Sequence, residues 1–506
     1  MIRDTRKLFE KYTDKETFDK IVEYDTVCDM WEKAVKEYGE DIAIEDNGEK
    51  YSYKQLGEDV GKFRAVYDSM GLNKGDRIGI FAPNGYDFVK MFLAAVTAGL
   101  VAAVLPAHLD EQTVFGCSIK FSLKAIAAEP TLNDRLEFMR SHNPAVKTVI
   151  STAEPTGVSP ACKLNKKDPA VIMFTGGTTG RSKGALLSHG ALMQGTVNGC
   201  YGVEAVFHQR YLLVLPLSHV FGLVRNLMTS LYTGSTLFIC RNNKDMFKDI
   251  AAFKPTIMVM VPALAEMSLN LSKQFGRNML GDSLKCIICG AATVSPYLVS
   301  EYKKLGIKLL GGYGLTETAN LVSGNPESEK KPESVGILYP HQDVKVVNGE
   351  LWIKGENLMD GYVGDDEENK AAFEDGYFKT GDLVRFDDDG MLYIVGRCKE
   401  IIVLPSGENI SPAEIEAKFN ELDVIQDSQV FEYITESGEH VLALEVVPRM
   451  VEVAKLGLAD ITGYLTEELQ KVNQKLLPFE RVSKITIRDK DFERTPSMKI
   501  KRYKLQ

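Results

Sequence analysis

Residues 174–189 read Phe-Thr-Gly-Gly-Thr-Thr-Gly-Arg-Ser-Lys-Gly-Ala-Leu-Leu-Ser-His, and this stretch is the most informative part of the sequence. Glycines let the backbone bend so that successive N–H groups converge on an anion, hydroxyls add donors, and Lys183 supplies a positive charge. Residues 170–174 before it are apolar and predict a buried strand. We therefore expect a phosphate-binding loop at a strand end, where open α/β sheets bind ligands.

The position of the lysine distinguishes this loop from that of the P-loop NTPases. Their pattern, GxxxxGK[ST], places glycine before the lysine and a metal-binding hydroxyl after it. Here Ser182 precedes Lys183 and Gly184 follows it. The alternative is a flexible Gly/Thr linker, but linkers seldom lie between an apolar strand and an amphipathic segment. The phosphate-binding interpretation is favoured.

Composition narrows the class of protein. The 506 residues, 44% of them hydrophobic, allow two to four domains at roughly 150 residues each. A net charge of −10 without a basic run argues against a nucleic-acid partner. The most apolar run, residues 91–107, is shorter than the ~20 residues of a membrane span, and the charged N-terminal stretch is not typical of an export signal. We expect a cytoplasmic enzyme without a transmembrane segment.

Cysteine spacing gives no metal signal. Of eight cysteines only Cys286 and Cys289 form a CxxC, inside an apolar run that predicts a strand. Positions three apart on a strand point to opposite faces, so the pair cannot easily share a metal. Buried free thiols are expected.

The pattern of apolar runs changes along the chain. Up to about residue 320 short apolar runs alternate with longer amphipathic ones, which is typical of α/β structure. Residues 335–397 contain hairpin signals at Asn348-Gly349 and Asp389-Gly390. Residues 411–420 and 461–476 predict helices among the later strands. We predict an N-terminal domain over residues 1–396 and a C-terminal domain over residues 397–506.

A second glycine-rich motif, Gly-Gly-Tyr-Gly-Leu-Thr-Glu-Thr, covers residues 311–318. It follows a predicted strand at residues 308–310, so we expect another strand-end loop. A tyrosine ring such as that of Tyr313 stacks on a purine, the hydroxyl of Thr316 donates to phosphate, and the Glu317 carboxylate suits a hard cation such as Mg²⁺. Alone, the motif could also be a turn followed by a helix N-cap.

Two further segments carry candidate functional residues. Asp382 lies in Tyr-Phe-Lys-Thr-Gly-Asp-Leu, with Arg397 following; a carboxylate at a loop edge accepts hydrogen bonds from a ribose diol, and arginine grips a hydroxyl or phosphate. Residues 494–502 read Arg-Thr-Pro-Ser-Met-Lys-Ile-Lys-Arg. Each of these features has an alternative interpretation when it is taken singly. Asp382 would be a turn residue, Arg397 a surface charge and residues 494–502 a solvated basic tail.

Together these motifs resemble the superfamily of adenylate-forming enzymes, and most of all the fatty acyl-CoA synthetases. That superfamily also includes nonribosomal peptide synthetase adenylation domains and firefly luciferase. Its hallmarks T-[SG]-G-T-T-G-x-x-K-G, Y-G-x-T-E and T-P-x-G-K occur here in order, except that Met498 replaces the last glycine. The resemblance implies two α/β subdomains and a small β-barrel-like subdomain in the N-terminal domain, and a small, mobile α+β C-terminal domain.

The resemblance also implies a role for each matching residue in an ATP- and Mg²⁺-dependent reaction with a carboxylic acid. Lys499 would bridge the attacking carboxylate and the α-phosphate, Thr316 would bind that phosphate, and Glu317 would bind Mg²⁺. The remaining nucleotide contacts implied are Thr175, Gly176, Gly177, Thr178, Thr179, Gly180 and Lys183 for phosphates, Gly290, Ala291, Ala292, Gly312, Tyr313 and Gly314 for adenine, and Asp382 and Arg397 for ribose.

The second step implied is attack of a thiol on the acyl-adenylate. In this superfamily the C-terminal domain rotates about a hinge, here Lys399, which brings Gly407 beside the channel for the pantetheine of CoA. His219, in Leu-Pro-Leu-Ser-His-Val-Phe-Gly, matches a segment that lies beside the acyl pocket in this superfamily, which implies that its ring takes part in the site by gating the pocket or the thiol channel. The alternative is that His219 is a buried core residue.

The acid itself is less defined by sequence. The expected pocket wall is uncharged (Phe221, Gly222, Gly311, Gly312, Leu315, Ala319 and Leu321), which favours a medium- or long-chain fatty acid or a similarly apolar acid. Three alternatives remain open: an acyl-AMP ligase that loads a phosphopantetheinyl carrier protein, an aryl-acid CoA ligase, and a nucleotide-binding regulator with the same fold.

Overall fold

Two large, mostly parallel sheets form the centre of the fold. The computed structural model describes residues 5–175, 183–404, 408–435, 439–494 and 500–502. The first sheet has seven strands, in the spatial order Gly361–Tyr362, Lys183–Ser188, Pro169–Thr175, Val101–Leu105, Arg77–Phe81, Ala125–Ala128 and Lys147–Ile150. Five of these strands are parallel neighbours, and the two at the Gly361 edge are antiparallel.

The second sheet has nine strands with a parallel centre and antiparallel edges. Its spatial order is Ile337–Leu338, Ser323–Asn325, Lys308–Tyr313, Cys286–Cys289, Ile257–Met260, Arg210–Leu213, Thr236–Ile239, Ile42–Asp46 and Glu49–Ser52. Most central strands of both sheets are short and almost wholly buried, which explains their unbroken apolar character. One continuous hydrophobic core extends over both sheets.

Three smaller sheets follow along the chain. A five-stranded antiparallel sheet contains Gln342–Val347, Glu350–Gly355, Phe373–Glu374, Tyr377–Phe386 and Leu392–Arg397. The last two sheets consist of Ile402–Val403 with Asn409–Ile410, and of Ile425–Ile434, His440–Pro448 and Val482–Ile487. Apolar residues between positions 410 and 482 form a separate hydrophobic core. The division into domains at residue 397 stays a prediction.

Helices cover the sheets and begin where the sequence offers capping side chains. The Thr26 hydroxyl and the Asp29 carboxylate form a capping box at the start of Val27–Tyr38. Ser188, next to last in the opening stretch, caps His189–Asn198. The other α-helices are Arg6–Phe9, Lys15–Lys20, Tyr53–Ser69, Tyr86–Thr97, Glu111–Lys120, Glu137–His142, Thr229–Tyr232, Met246–Phe253, Pro262–Gln274, Pro296–Lys304, Asp366–Ala372, Pro412–Asn420, Met450–Lys455 and Ile461–Lys475. In the described part of the chain, no helix combines the length and apolarity needed to cross a bilayer.

Several local predictions are confirmed. Asn348 and Gly349 have φ angles of 51° and 84°, as a tight hairpin turn requires, and they join two strands of the five-stranded sheet. The predicted helices at residues 411–420 and 461–476 are present as Pro412–Asn420 and Ile461–Lys475. Cys286 and Cys289 are buried free thiols on one strand.

Strand Pro169–Thr175 ends where the glycine-rich loop begins, as the sequence predicts, and Thr175 pairs with Lys183 across two antiparallel strands because the apolar segment after the lysine continues the sheet. Two other predictions about loops are wrong. The strand predicted at residues 308–310 runs on to Tyr313, because Gly311, Gly312 and Tyr313 pair with the neighbouring strand Ser323–Asn325. Asp382 is likewise a buried strand residue rather than a loop-edge residue, and it stands opposite Arg397.

Candidate active site

A cavity of about 690 Å³ is lined by most of the described residues that the sequence predicts as functional. Segments that follow strands of both large sheets line it. The predicted site residues among its lining are Thr175, His219, Gly290, Ala291, Gly312, Tyr313, Gly314, Thr316, Glu317 and Arg397. Residues from five separate segments therefore line the same cavity, although more than two hundred positions separate Thr175 from Arg397 along the chain.

Asp382 lies behind this lining and is held from two sides. The hydroxyl of Tyr313 donates a 2.6 Å hydrogen bond to Oδ2, and Nε of Arg397 donates one of 2.6 Å to Oδ1. Burial and the nearby Asp382 carboxylate raise the pKa of Tyr313 well above its usual value, so its hydroxyl stays protonated as a donor. The Asp382 side chain is almost fully buried, and the three groups form one rigid polar unit.

Glu317 and Lys183 are connected through Tyr362. The hydroxyl of Tyr362 donates a 2.7 Å hydrogen bond to Oε1 of Glu317, and Nζ of Lys183 lies 4.9 Å from the centre of the Tyr362 ring. Lys183 also forms a 2.6 Å ion pair with Glu368. Tyr362 and Glu368 had no place in the sequence analysis, since neither belongs to a motif.

The glycines of the second motif permit close backbone approach. A Cβ atom at Gly314 would lie 1.4 Å from the carbonyl oxygen of Asn320, so only glycine fits there. Gly290 and Ala291 face the same cavity after strand Cys286–Cys289, and Ala291 has a φ of 68°. This gives the cavity a backbone-lined wall beside the Tyr313 ring, which is suited to a flat heterocycle.

His219 lines the same cavity together with Val220 and Phe221. The backbone N–H of Phe221 points at Nδ1 of His219 at 3.2 Å, which favours the tautomer with its proton on Nε2. His189, by contrast, is fully buried at the start of its helix, and burial lowers its pKa to about 4, so it is a neutral core residue.

The prediction of an uncharged pocket wall is wrong. Phe221, Gly311, Gly312, Leu315 and Leu321 line the cavity as expected, but so does Arg225. Its only sequence signal is a charge inside the apolar run Val-Phe-Gly-Leu-Val-Arg-Asn-Leu-Met. His108 and Asn320 are further polar wall residues that the sequence analysis missed.

The remaining nominated residues lie elsewhere. Ala292, Lys183 and Lys399 are absent from the described cavity lining, and Lys399 is exposed in the short turn Cys398–Glu400. Seven nominated residues fall outside the described part of the chain: Gly176, Gly177, Thr178, Thr179, Gly180, Gly407 and Lys499.

A magnesium ion would find few protein ligands here. Within the described ranges, no three His, Cys, Asp or Glu side chains are grouped as a metal site. Among the described lining residues, Glu317 alone offers a carboxylate at the cavity wall. One carboxylate together with substrate phosphates and water is the usual environment of Mg²⁺ at nucleotide sites, so the residues fit such an ion.

Comparison with known proteins defines the class. A family model described as AMP-binding enzyme matches residues 31–363. The fold and this match are those of the adenylate-forming enzymes. The chain belongs to the AMP-binding enzyme family, and it is an acid–thiol ligase of the AMP-forming acyl-CoA synthetase type.

The names of its relatives refer to different acids. A 4-coumarate–CoA ligase-like protein of Arabidopsis thaliana is 28% identical over 87% of this chain and 82% of its own. A long-chain-fatty-acid–CoA ligase of Haemophilus influenzae is 26% identical over 78% of this chain and 80% of its own. The structure of o-succinylbenzoate CoA synthetase from Bacillus subtilis with ATP and magnesium superposes with a TM-score of 0.77 at 21% identity, covering 93% and 98% of the two chains.

Proposed function

We propose that this enzyme activates a carboxylic acid with an apolar body in two steps. The acid carboxylate attacks the α-phosphorus of ATP and pyrophosphate leaves; the thiol of CoA then attacks the acyl carbonyl and AMP leaves. The observation that supports this most is the shared cavity, where the Tyr313, Thr316 and Glu317 segment lies close to the apolar wall around Phe221. The nucleotide and the acid could therefore bind next to each other in this cavity.

The described residues support a division of labour. The Tyr313–Asp382–Arg397 unit suits the ribose, with Asp382 accepting from a hydroxyl and Arg397 donating. The backbone around Gly290 and Ala291 suits adenine. Thr316 would donate to the α-phosphate and Lys183 would neutralise the outgoing phosphates.

Glu317 would hold Mg²⁺, and Tyr362 fixes the orientation of its carboxylate. The ion, when bound, supplies positive charge against the phosphate oxygens.

An acid with a substantial hydrocarbon part fits the wall formed by Phe221, Leu315 and Leu321. The preference for a medium- or long-chain fatty acid is a proposal, as are the hinge at Lys399, the CoA channel near Gly407, and a cytoplasmic location. CoA is the proposed thiol because the curated relatives are named as CoA ligases.

The experiment that tests the proposed function measures which phosphate-containing products are released from ATP. With acid, ATP and Mg²⁺ we expect pyrophosphate release, and thioester only after CoA is added. Formation of ADP and phosphate would contradict the adenylate mechanism. Accumulation of acyl-AMP despite CoA would instead favour loading of a carrier protein, and absence of acid-dependent ATP–pyrophosphate exchange over a broad panel would favour a regulator.

Lys499 is tested by separating the two steps. Lys499→Ala should abolish adenylation and leave thioester formation from supplied acyl-AMP largely intact, because the proposed domain rotation removes this lysine from the site. Lys501→Ala is the matched control. Nζ of Lys501 lies 3.5 Å from Oε2 of Glu493, and this variant should leave both steps unaffected. Equal loss of both steps in Lys499→Ala would contradict the rotation.

A further inference from the structure

Arg225 is a buried cation whose charge no side chain in the described ranges offsets. It lies on the π-helix Phe221–Met228, is 2% exposed, and borders the cavity. Among the described residues, its Nη1 has no hydrogen-bond partner and no ion pair includes Arg225. Buried arginines are normally paired, because an isolated charge in a protein interior is costly.

Three side chains near Arg225, those of Tyr211, Tyr339 and Cys286, are neutral. Burial raises the pKa of Tyr211 and of Tyr339 to about 12 each, and that of Cys286 to about 11, against an opposing effect of the Arg225 charge. All three stay protonated near neutral pH. Arg225 therefore lies within electrostatic reach of several polar groups, and none of these three supplies a negative charge.

A second donor on the same cavity is also unsatisfied. Asn320 is 6% exposed, lines the cavity, and its Nδ2 has no hydrogen-bond partner among the described residues. The segments carrying these two donors pack closely: a Cβ atom at Gly195 would lie 2.3 Å from the Ala319 oxygen and 3.0 Å from Cγ1 of Val224. Two buried N–H donors that lack acceptors in the described structure therefore come from adjoining segments of one wall.

We propose that Arg225, with Asn320, binds a second carboxylate at the far end of the acid substrate. The inference rests on the proposed function and narrows it to dicarboxylic acids with an apolar middle. A planar guanidinium matches the two oxygens of a carboxylate. The other arginine on the described cavity lining, Arg397, is already paired with Asp382. Arg225 therefore offers one unpaired positive charge, which suits a carboxylate better than a phosphate dianion.

The first test needs no variant. ATP–pyrophosphate exchange is measured on the full chain with Mg²⁺ and three acids of equal length: a monoacid (octanoate), the diacid (suberate) and its monomethyl ester. The same series is run from succinate to sebacate. We expect kcat/KM for the preferred diacid to exceed that of its monoacid and ester by about 10-fold or more, the size of one charge-assisted hydrogen bond.

The second test changes the charge. Arg225→Met retains length and packing, and should lower the ratio of diacid to monoacid kcat/KM by about 10- to 100-fold, whereas Arg225→Lys should retain part of the preference. Leu227→Met, a buried and uncharged neighbour on the same helix, should leave the ratio unchanged. Suberate should also raise the Tm of the wild type and not that of Arg225→Met.

The outcomes separate the two proposals. Exchange that is as fast with monoacids or esters as with diacids at every length overturns the role of Arg225 while supporting adenylation. Absence of exchange with every acid contradicts the proposed function itself. If Arg225→Met does not fold, the wild-type acid series and its thermal shifts decide.

Discussion

Tyr313 donates a 2.6 Å hydrogen bond to Asp382, across 69 positions of sequence. Arg397 occupies the other oxygen of the same carboxylate, in direct register on the neighbouring strand. One polar unit thus joins a side chain of the second glycine-rich motif, a strand of the five-stranded sheet and a residue two positions before the predicted hinge. Any movement about Lys399 begins next to this unit.

The first prediction concerns that carboxylate. Asp382→Asn should raise the KM for ATP by about 10- to 100-fold, because it removes a charged acceptor from Arg397 and from the ribose. Asp343→Asn is the matched control, since Asp343 accepts a 2.7 Å hydrogen bond from Tyr377 in a similar Tyr–Asp pair away from the cavity. Equal KM changes in both variants would show that the effect is general destabilisation.

The second prediction concerns Lys183, whose ion pair with Glu368 must compete with phosphate. Glu368→Gln should lower the KM for ATP by only about 2- to 5-fold, because Glu368 is partly exposed and such pairs contribute little. Lys183→Met should raise the KM strongly. Glu374→Gln, which breaks the comparable 2.6 Å pair with Lys379, should have no effect. A raised KM in Glu368→Gln would mean that Glu368 positions the lysine for ATP.

The third prediction uses Cys398 as a reporter of the predicted hinge. Cys398 is exposed beside Lys399, whereas Cys286 and Cys289 are buried. Iodoacetamide followed by peptide mass spectrometry should label Cys398 before these two, which react only on unfolding; burial also raises the pKa of the Cys286 thiol to about 11.

Substrates should then change the labelling rate at Cys398. Adding ATP and acid, and then CoA, should alter this rate and leave that of the half-buried Cys162 constant. A constant rate at Cys398 through the catalytic cycle would contradict rotation about Lys399.

The fourth prediction concerns acid stability at the contact between Pro262–Gln274, Pro296–Lys304 and Met450–Lys455. Glu452 accepts hydrogen bonds from Lys273 at 2.5 Å and from Tyr297 at 2.6 Å. Burial alone would raise the pKa of Glu452, but these bonds and those from Lys455 lower it from 4.5 to about 2. The lowered pKa stabilises the fold above about pH 4.5, and this contribution is lost as the pH falls toward 2.

Glu452→Gln should therefore lower the free energy of unfolding at pH 7 by about 1 to 2 kcal/mol, less than the full pKa shift implies because solvent screens the pair. The difference from wild type should vanish at low pH in urea titrations. Glu467→Gln, at the exposed pair with Lys471, should change stability by less than about 0.5 kcal/mol at any pH. A pH-independent difference would contradict the ionic origin.

The α/β class, the hairpin at Asn348-Gly349 and most of the motif residues that line the cavity could be predicted from the sequence. These features are local: apolar periodicity, turn chemistry and glycine spacing are properties of neighbouring residues. The ends of the loops are harder to predict from sequence. Whether residues 183–188 and 311–313 form strands depends on their pairing partners elsewhere in the sheet.

Which side chains contact one another depends on the three-dimensional packing. Glu368 reaches Lys183 across 185 positions and Tyr362 reaches Glu317 across 45, and no motif connects them. The isolation of Arg225 among the described residues is likewise a property of its surroundings, since a charge in an apolar run shows in sequence but the lack of a partner does not. Burial and pairing arise from long-range packing. For this reason the sequence predicted an apolar pocket, whereas the structure has a buried cation, Arg225, in the pocket wall.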